Sequence, residues 1–284
     1  MVNYSVDGIS FALKKQYDFG FLSKYGRMFC TFDQNDSGNI SFGLDDGKER
    51  YFVKVAGLET TEFRGSPKDA VRSLERAMPL YTELRHPNLI ELTDHYRLDG
   101  MYIAVFRWSE GDCLLDHWNF EKYSKDPSIT PPYQEFKQLP PERRLRALDV
   151  VFSFFEMVAE KKYVAIDFYD GSLMYDFETD RTTICDIDFF EKQPYTNTMG
   201  RMWGSSRFMS PEEYIMGASI DEVTNVYTLG AFAFFALGDE SDHSHEKWQA
   251  DRNLFDIAAK ATNPDRTKRY RSIYEFAECW RRGI

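Results

Sequence analysis

The 284-residue sequence is poor in cysteine, poor in basic residues relative to acidic ones, and free of long apolar runs. Its four cysteines stand far apart and form no CxxC pair, which argues against a disulfide scaffold and against a cysteine-ligated zinc site. We expect them to be reduced thiols; they are Cys30, Cys113, Cys185 and Cys279.

No stretch approaches the ~18 consecutive apolar residues that a membrane-spanning helix needs. The first twenty residues, MVNYSVDGISFALKKQYDFG, contain no apolar run after a basic segment and no small-residue cleavage site. The sequence therefore predicts a soluble, cytoplasmic protein that does not enter a membrane.

Basic side chains number 35 against 46 acidic ones, which gives a net charge of −11. Such a field repels the phosphates of nucleic acids, so we expect no nucleic-acid-binding surface. A nucleotide ligand would need a fixed lysine or a metal ion to supply positive charge locally. Aromatic residues are abundant at 16%, which indicates bulky cores or an aromatic-lined pocket.

The pattern of apolar residues changes along the chain from strand-like to helical. Short apolar runs predict five strands before residue 109, and helical spacing after Ser66-Pro67 predicts one helix among them. Beyond residue 108 the pattern predicts helices, a surface loop, and two short strands around the turn FETDR. The predicted ranges are strands 28–32, 40–44, 50–56, 89–92, 101–108, 172–175 and 183–187, helices 67–85, 141–162 and 223–237, and the loop 122–140.

Several short motifs follow one another in the second half. Asp167 lies in VAIDF, and Asp188 begins DFF directly after the short hairpin. Glu212 ends MSPE, Asn225 begins NVYTLG, and Arg269 follows NPDRTK. None of these motifs is specific alone, but their combined order and spacing are not expected by chance.

This layout and these motifs resemble the protein-kinase-like superfamily, and within it a divergent bacterial-type serine/threonine protein kinase. The resemblance implies an α+β, bilobal fold. Residues 1–108 would form an N-lobe with a five-stranded antiparallel sheet and one helix, and residues 109–284 a mainly helical C-lobe. It also implies that Arg269 and Glu212 form a buried ion pair.

Lys54, in YFVKV, resembles the family's lysine that grips the α- and β-phosphates of ATP. A lysine on a buried strand is costly unless it meets an anion. Glu75 on the following helix is its predicted partner, although counting back from His86-Pro87-Asn88 puts the usual position nearer Ala77.

The phosphate-covering loop keeps one glycine of the family pattern, with Asp33 and Asn35 in the two other glycine positions. The resemblance implies that this loop, Lys54 with Glu75, and the segment that joins the two lobes hold ATP. The residues predicted to contact the nucleotide are Gly38, Ile40, Lys54, Glu75, Phe106, Arg107, Trp108 and Ser109.

In the second half the resemblance makes Asp167 the catalytic residue that orients the accepting hydroxyl, together with Lys54 at the phosphates. Asp188 would bind Mg²⁺, and the hydroxyl of Ser172 would be the second ligand, in place of the family's asparagine. Asp186 is interpreted as structural. Asp170 could cap its turn or reach the metal, and the cap is favoured.

Departures from the family pattern leave two hypotheses open. Ala165 and Ile166 replace the His and Arg before the catalytic Asp, and Tyr169 replaces the Lys two residues after it. The favoured hypothesis is an active kinase that transfers the γ-phosphoryl group of Mg-ATP to a hydroxyl. The alternative is a pseudokinase-like nucleotide-binding or scaffold module.

The acceptor of the favoured reaction is also left open. The MSPE and NVYTLG motifs are typical of protein kinases, so a protein acceptor is favoured over a small alcohol or an aminoglycoside-type molecule. ATP and Mg²⁺ are the expected cofactors in either case.

Overall fold

A computed structural model gives the fold for residues 1–33 and 37–284. The chain divides into two units: the first comprises Met1–Arg85 and Leu89–Ser109, and the second His86–Asn88 and Glu110–Ile284. Strands and helices occur in both units, which confirms the predicted α+β class.

The first unit contains a hairpin, a five-stranded antiparallel sheet and one long helix. The elements are β1 (Val2–Val6), β2 (Ile9–Leu13), β3 (Arg27–Phe32), β4 (Asn39–Asp45), β5 (Arg50–Ala56), α1 (Pro67–Glu83), β6 (Leu92–Leu98) and β7 (Met101–Arg107). The sheet has the strand order β3-β4-β5-β7-β6. The predicted strand at 89–92 is wrong in position, since β6 only begins at Leu92.

The register of the sheet decides which face each side chain occupies. Ser41, Lys54 and Ala104 are aligned across β4, β5 and β7, so they share one face. Because successive side chains alternate between faces, Ile40 and Val55 point to the opposite side, where both are fully buried. We call the first side the Lys54 face.

The side opposite the Lys54 face is covered by the amino-terminal hairpin, which sequence analysis does not predict. The rings of Phe11 and Phe19 lie 5.3 and 5.5 Å from the ring of Phe42 in β4. The turn between β1 and β2 is Asp7-Gly8, and both residues have positive φ. Asp-Gly is a strong hairpin signal, so this sequence feature could have predicted the hairpin.

The helix α1 lies on the Lys54 face. Its buried residues recur at helical spacing, among them Leu74, Ala77, Met78 and Tyr81. The ring of Tyr81 contacts the ring of Phe106 in β7 edge-to-face, with 4.9 Å between centroids.

The second unit is mainly helical, with short strands between the helices. Its helices are α2 (Phe120–Lys125), α3 (Pro132–Gln138), α4 (Pro141–Glu160), α5 (Glu222–Leu237), α6 (Arg252–Ala261) and α7 (Ile273–Gly283). Its strands are β8 (Asp112–Cys113), β9 (Tyr163–Val164), β10 (Leu173–Asp176), β11 (Arg181–Ile184), β12 (Glu191–Lys192), β13 (Tyr195–Thr196) and β14 (Ser219–Ile220).

The predicted surface loop at 122–140 is partly wrong, because it contains α3 and the end of α2. Phe136 in α3 is buried, and its ring lies 5.1 Å from that of Tyr175 and 5.9 Å from that of Phe235. A helix this short is stabilised by one such tertiary anchor rather than by its own sequence, so it shows no periodicity that could predict it.

The helix α5 is the centre of the second unit, as its apolar sequence predicts. It is buried along nearly its whole length. Asp221 caps its first turn by accepting a hydrogen bond from the main-chain N–H of Val223.

The predicted buried ion pair between Arg269 and Glu212 is confirmed. The two groups meet in a bidentate arrangement with N–O distances of 2.7 and 2.9 Å. Thr224, in the first turn of α5, donates a third hydrogen bond to Glu212. Burial favours a raised pKa for Glu212, but Arg269 outweighs it and the pKa lies below its ordinary value.

None of the described helices is both long and apolar enough to cross a membrane.

Replacing Arg269 with methionine is expected to lower the free energy of unfolding by about 3–5 kcal/mol, because the variant leaves the buried carboxylate of Glu212 without its cation. Urea unfolding followed by tryptophan fluorescence measures this change. The control is Lys268→Met at an exposed neighbour, where the change should stay within about 0.5 kcal/mol. Equal midpoints for the two variants would contradict the role given to the pair.

Candidate functional site

In the first unit, Lys54 lies in the middle strand of the sheet, on the face that α1 also covers. It is half-buried, between the cross-strand neighbours Ser41 and Ala104. The opposite face carries Ile40 and Val55, which lie in the apolar core.

Ile40 lies on the opposite face of the sheet from Lys54, and its predicted contact with a nucleotide stays a prediction. Its cross-strand partner is Val55, and it belongs to the apolar core with Phe11 and Leu13. A shift of one residue along a strand moves a side chain to the other face, and the loop pattern in the sequence does not fix that register.

Glu75 also differs from the prediction, because its partner is Arg97 in the edge strand β6. Arg97 donates from Nε to Glu75 Oε1 at 2.7 Å and from Nη2 to the second oxygen. Lys54 lies two strands away from β6, on β5. The pairing of Glu75 with Lys54 is thus replaced by a Glu75–Arg97 pair, which lowers the pKa of Glu75.

An aromatic row runs across the Lys54 face. Phe52, two residues before Lys54, has its ring 5.8 Å from that of Phe32 and 6.3 Å from that of Phe106. Phe106 in turn contacts Tyr81. Phe106 is only 2% exposed, and its predicted contact with a nucleotide stays a prediction. The row also places a large ring at Phe52 that sequence analysis did not consider.

Gly38 is required by a close contact with Phe63. It has a φ of +79°, and a Cβ at this position would lie 2.7 Å from the Phe63 ring. A Cβ on Gly65 would meet the same ring at 2.5 Å, so the ring is packed between the two glycines. Asn35, the other loop residue considered for this turn, lies outside the described residues.

The segment from Arg107 to Ser109 is partly occupied by contacts within the first unit. The guanidinium of Arg107 binds Glu49 at 2.6 Å and Glu91 at 2.8 Å, and the ring of Trp108 contacts that of Phe29 at 4.9 Å. The predicted nucleotide contacts of this segment stay a prediction.

In the second unit, Asp167 lies in the loop between β9 and β10. Asn225 in α5 fixes the start of this loop, since its side chain accepts from the N–H of Ala165 at 2.9 Å and donates to the carbonyl of Tyr163 at 3.1 Å. Asn225 is completely buried. The neutral amide serves both bonds, where a carboxylate could only accept.

Two aspartates adopt left-handed backbone conformations on either side of the β10–β11 hairpin. Asp167 has a φ of +60° and Asp186 a φ of +53°. Three other aspartates with positive φ, Asp7, Asp99 and Asp180, belong to turns between paired strands, where this conformation is common. Asp167 and Asp186 have no such hairpin turn, and strained residues of this kind cluster at functional sites.

Asp186 and Asp188 differ in their exposure to solvent. Asp186, interpreted as structural, is exposed, whereas Asp188, the predicted metal ligand, is only 6% exposed. Between them, Ile187 is completely buried. The role of Asp188 as a metal ligand stays a prediction. The CDIDFF motif contains two aspartates, and sequence alone could not tell which one is accessible.

Tyr169 lies among these carboxylates. Its ring packs over Gly171, where an added Cβ would lie 2.4 Å from the ring. Burial, with the charges of Asp167 and Asp186 as the next causes, raises the pKa of Tyr169 above its ordinary value. Its phenol therefore stays neutral, and both aspartates lie close enough to act on it.

Ser172 closes the loop that Asp167 begins. It is 1% exposed, and its hydroxyl accepts the N–H of Tyr169 at 3.5 Å. Its own N–H donates to the Tyr169 carbonyl at 2.8 Å, and its carbonyl accepts from Cys185. These bonds give Ser172 a structural role; its role as a metal ligand stays a prediction.

Asp170 is fully buried and binds Arg207, a residue of the segment before MSPE. The guanidinium donates to both carboxylate oxygens, at 2.7 and 2.8 Å. Glu240 lies 3.9 Å from Arg207 and binds Lys137 at 2.5 Å, so the charges alternate in sign. Asp170 thus ties the Asp167 loop to the segment that contains Arg207, a role that sequence analysis did not predict.

The second unit thereby presents the half-exposed carboxylate of Asp167, on a loop held by three separate contacts, and the exposed carboxylate of Asp186 after the β10–β11 hairpin. Such groups can take a proton from a hydroxyl or bind a divalent cation. Among the described residues no group of three or more His, Cys, Asp or Glu side chains could hold a metal. A Mg²⁺ ion here would thus need oxygens from a phosphate ligand or water as well.

Glu213, next to the Glu212–Arg269 pair, is a buried carboxyl with a strongly shifted titration. It accepts hydrogen bonds from the N–H and hydroxyl of Ser210 at 2.6 and 2.9 Å. Burial is the largest cause that raises the pKa of Glu213, from 4.5 to about 7.

Replacing Arg207 with glutamine is expected to loosen the segment at 197–209, because it leaves the buried carboxylate of Asp170 without a cation. Hydrogen–deuterium exchange should show at least tenfold faster exchange there than in the wild type. Adding Asp170→Asn removes the uncompensated charge and should restore part of the protection. Arg146→Gln, at an exposed arginine, is the control; unchanged exchange in Arg207→Gln would contradict the account.

The shifted pKa of Glu213 predicts a stability that falls with rising pH. The folded state holds the proton more tightly than the unfolded state, so this contribution is complete below about pH 4.5 and is lost as the pH rises to about 7. The loss amounts to about 3 kcal/mol at 1.36 kcal/mol per pH unit.

The variant Glu213→Gln should lack this part of the pH dependence. Its free energy of unfolding relative to the wild type should therefore improve between pH 5 and pH 8. Glu178→Gln, at an exposed residue of the same unit, should follow the wild type at every pH. Parallel stability curves for wild type and Glu213→Gln would show that Glu213 titrates normally.

Comparison with known proteins gives one partial similarity. No family model matches the chain. The chain is 30% identical to serine/threonine-protein kinase 36 of Pongo abelii over 78 residues, which is 27% of this chain and 6% of that protein. The chain thus covers a small part of that protein's length. The similarity indicates a relationship to serine/threonine kinases and leaves the activity of this chain to be proposed.

Proposed function

We propose that the chain is a kinase of the serine/threonine type, which transfers the γ-phosphoryl group of Mg-ATP to the hydroxyl of a protein acceptor. Residues 1–108 would form the nucleotide-gripping lobe and residues 109–284 the catalytic lobe. The partial similarity to a serine/threonine kinase supports this class.

The observation that carries the proposal is the pair Asp167 and Asp186. Both have left-handed backbone conformations outside tight hairpin turns, and both act electrostatically on Tyr169. Backbone strain of about 1–3 kcal/mol per residue persists where a function or the surrounding structure requires it. Two strained carboxylates around one hairpin support a reaction that needs a base and a metal ligand.

Asp167 is assigned the role of accepting the proton of the acceptor hydroxyl. It is half-exposed, and Asn225 and the Asp170–Arg207 pair hold its loop in place. Holding the base in position contributes to rate because a misplaced group loses effective concentration.

Asp186 is assigned the role of metal ligand, in place of Asp188. An exposed carboxylate is the kind of ligand that Mg²⁺ uses when phosphate and water oxygens complete its shell. When bound, Mg²⁺ would neutralise charge on the transferring phosphoryl group. Lys54 is assigned the other positive charge, since it lies on the face of its sheet that avoids the apolar core.

A pseudokinase-like binding module is the second candidate, and specific contacts in the first unit favour it. Glu75 pairs with Arg97, and the ring of Phe52 occupies space two residues from Lys54. In the second unit, Tyr169 stands where the family has a lysine. Each of these features argues against tight binding of the triphosphate of ATP.

The two candidates are separated by measuring ATP turnover and nucleotide binding on the full chain. Wild-type protein is expected to transfer phosphate to a protein acceptor with Mg-ATP. Asp167→Asn and Asp186→Asn should each lower the rate by about 10²-fold or more, because a general base or a metal ligand is lost. Thermal shift with ATP, with and without Mg²⁺, reports binding separately.

The matched control is Asp251→Asn at the exposed N-cap position of α6, whose side chain makes no capping hydrogen bond, so activity should not change. ATP binding without turnover would support the second candidate. Turnover that survives in both Asp167→Asn and Asp186→Asn would contradict the proposed roles.

A further inference from the structure

A patch of exposed apolar side chains lies in the second unit, on the segments that flank MSPE. Five large side chains there are between 39% and 64% exposed, and together we call them the apolar patch: Met199, Trp203, Tyr214, Ile215 and Met216. A contiguous exposed patch of this kind marks an interaction site more often than scattered apolar residues do.

The patch is contiguous because its two segments run side by side. Asn197 is completely buried, and its side-chain N–H groups bind the carbonyls of Gly200 and Glu213. The main chain adds bonds from Met202 N–H to the Glu213 carbonyl and from Gly217 N–H to the Asn197 carbonyl. A Cβ on Gly200 would lie 3.9 Å from the terminal methyl of Met216, so the two segments also meet at the surface.

These bonds also make the patch a fixed surface. Strands β13 and β14 pair at its base, through Tyr195 with Ile220 and Thr196 with Ser219. Each apolar side chain therefore remains in contact with water, which is unfavourable. A partner that covered these side chains would remove that unfavourable contact. A fixed surface also loses little entropy on binding.

One cation lies within the patch and sets its electrostatic character. The guanidinium of Arg201 binds the carbonyls of Met202 and Gly204 at 3.1 and 3.0 Å and lies 6.0 Å from the centre of the Tyr214 ring. These bonds use two of the five N–H donors of an arginine. Its described partners are main-chain carbonyls, so its charge remains available to an anion at the patch surface.

We propose that the apolar patch binds a partner polypeptide through a segment with bulky apolar side chains and at least one carboxylate. The apolar side chains would cover the two methionines and Ile215, and the carboxylate would pair with Arg201. Tyr, Trp, Met and Arg are enriched in protein–protein interfaces, and all four types occur in the patch and its arginine. The proposal goes beyond the proposed function because binding of this kind requires no catalysis.

Charge favours a partner polypeptide with a carboxylate over two other occupants of the patch, a second copy of the chain and an anionic membrane surface. A second copy of the chain also has a net charge of −11, so the two bodies repel each other as they approach. An anionic membrane surface is attracted by clusters of basic residues, and the patch contains one arginine. A single carboxylate within an apolar segment matches a single cation within an apolar surface.

Two fluorescein-labelled twelve-residue peptides test the proposal by fluorescence anisotropy with the full chain. Both peptides contain the same Leu and Phe residues, and one has glutamate where the other has lysine. The glutamate peptide is expected to bind at least tenfold more tightly. Met216→Ser should weaken its binding at least tenfold, and Arg201→Gln should abolish the difference between the peptides.

Tyr274→Ser, at an exposed aromatic residue of α7, is the control and should bind like the wild type. Asp167→Asn should also bind like the wild type, which separates this proposal from the catalytic one. Failure of both peptides to bind, or a preference for the lysine peptide, would overturn the proposal. A dimer seen by sedimentation and lost in Met216→Ser would assign the patch to self-association and overturn it as well.

Discussion

The buried carboxylate of Asp170 is the constraint on which the candidate site depends. A fully buried aspartate needs a cation, and Arg207 meets that need with two hydrogen bonds from the neighbouring segment. The pair therefore fixes the loop of Asp167 and the segment before MSPE at the same time. Asn225 fixes the other end of the loop from within the buried helix α5. Both anchors are internal to the second unit.

Sequence reasoning succeeded where the motif itself determines a contact. The buried pair Arg269–Glu212 and the burial of α5 follow from residue type and order, and both are observed. It could not predict features that depend on strand register or on the local path of the backbone. Ile40 lies in the core because side chains alternate along the strand, and Asp186 is exposed whereas Asp188 is buried. No pattern in the sequence fixes those choices.

The two units provide unequal support for a kinase-like reaction. In the second unit, three features agree with phosphotransfer chemistry. They are the left-handed backbone of Asp167 and Asp186, the loop held by the Asp170–Arg207 pair, and the buried pair Arg269–Glu212. In the first, Lys54 lies on the face opposite the apolar core, but Glu75 pairs with Arg97 and aromatic rings lie on the same face as Lys54. Those rings also account for part of the high aromatic content noted in the sequence. Because the chain has a net charge of −11, a bound nucleotide would need positive charge supplied locally.

The central claim is that this chain moves a phosphoryl group to a protein hydroxyl. The most direct measurement is transfer of label from γ-³²P-ATP to proteins of a heat-treated cell lysate, with Mg²⁺ present, followed by electrophoresis and phosphoamino-acid analysis. The account predicts labelled phosphoserine or phosphothreonine with wild-type protein and loss of that label with Asp186→Asn. Absence of label with the wild type, or equal labelling with the variant, would contradict it.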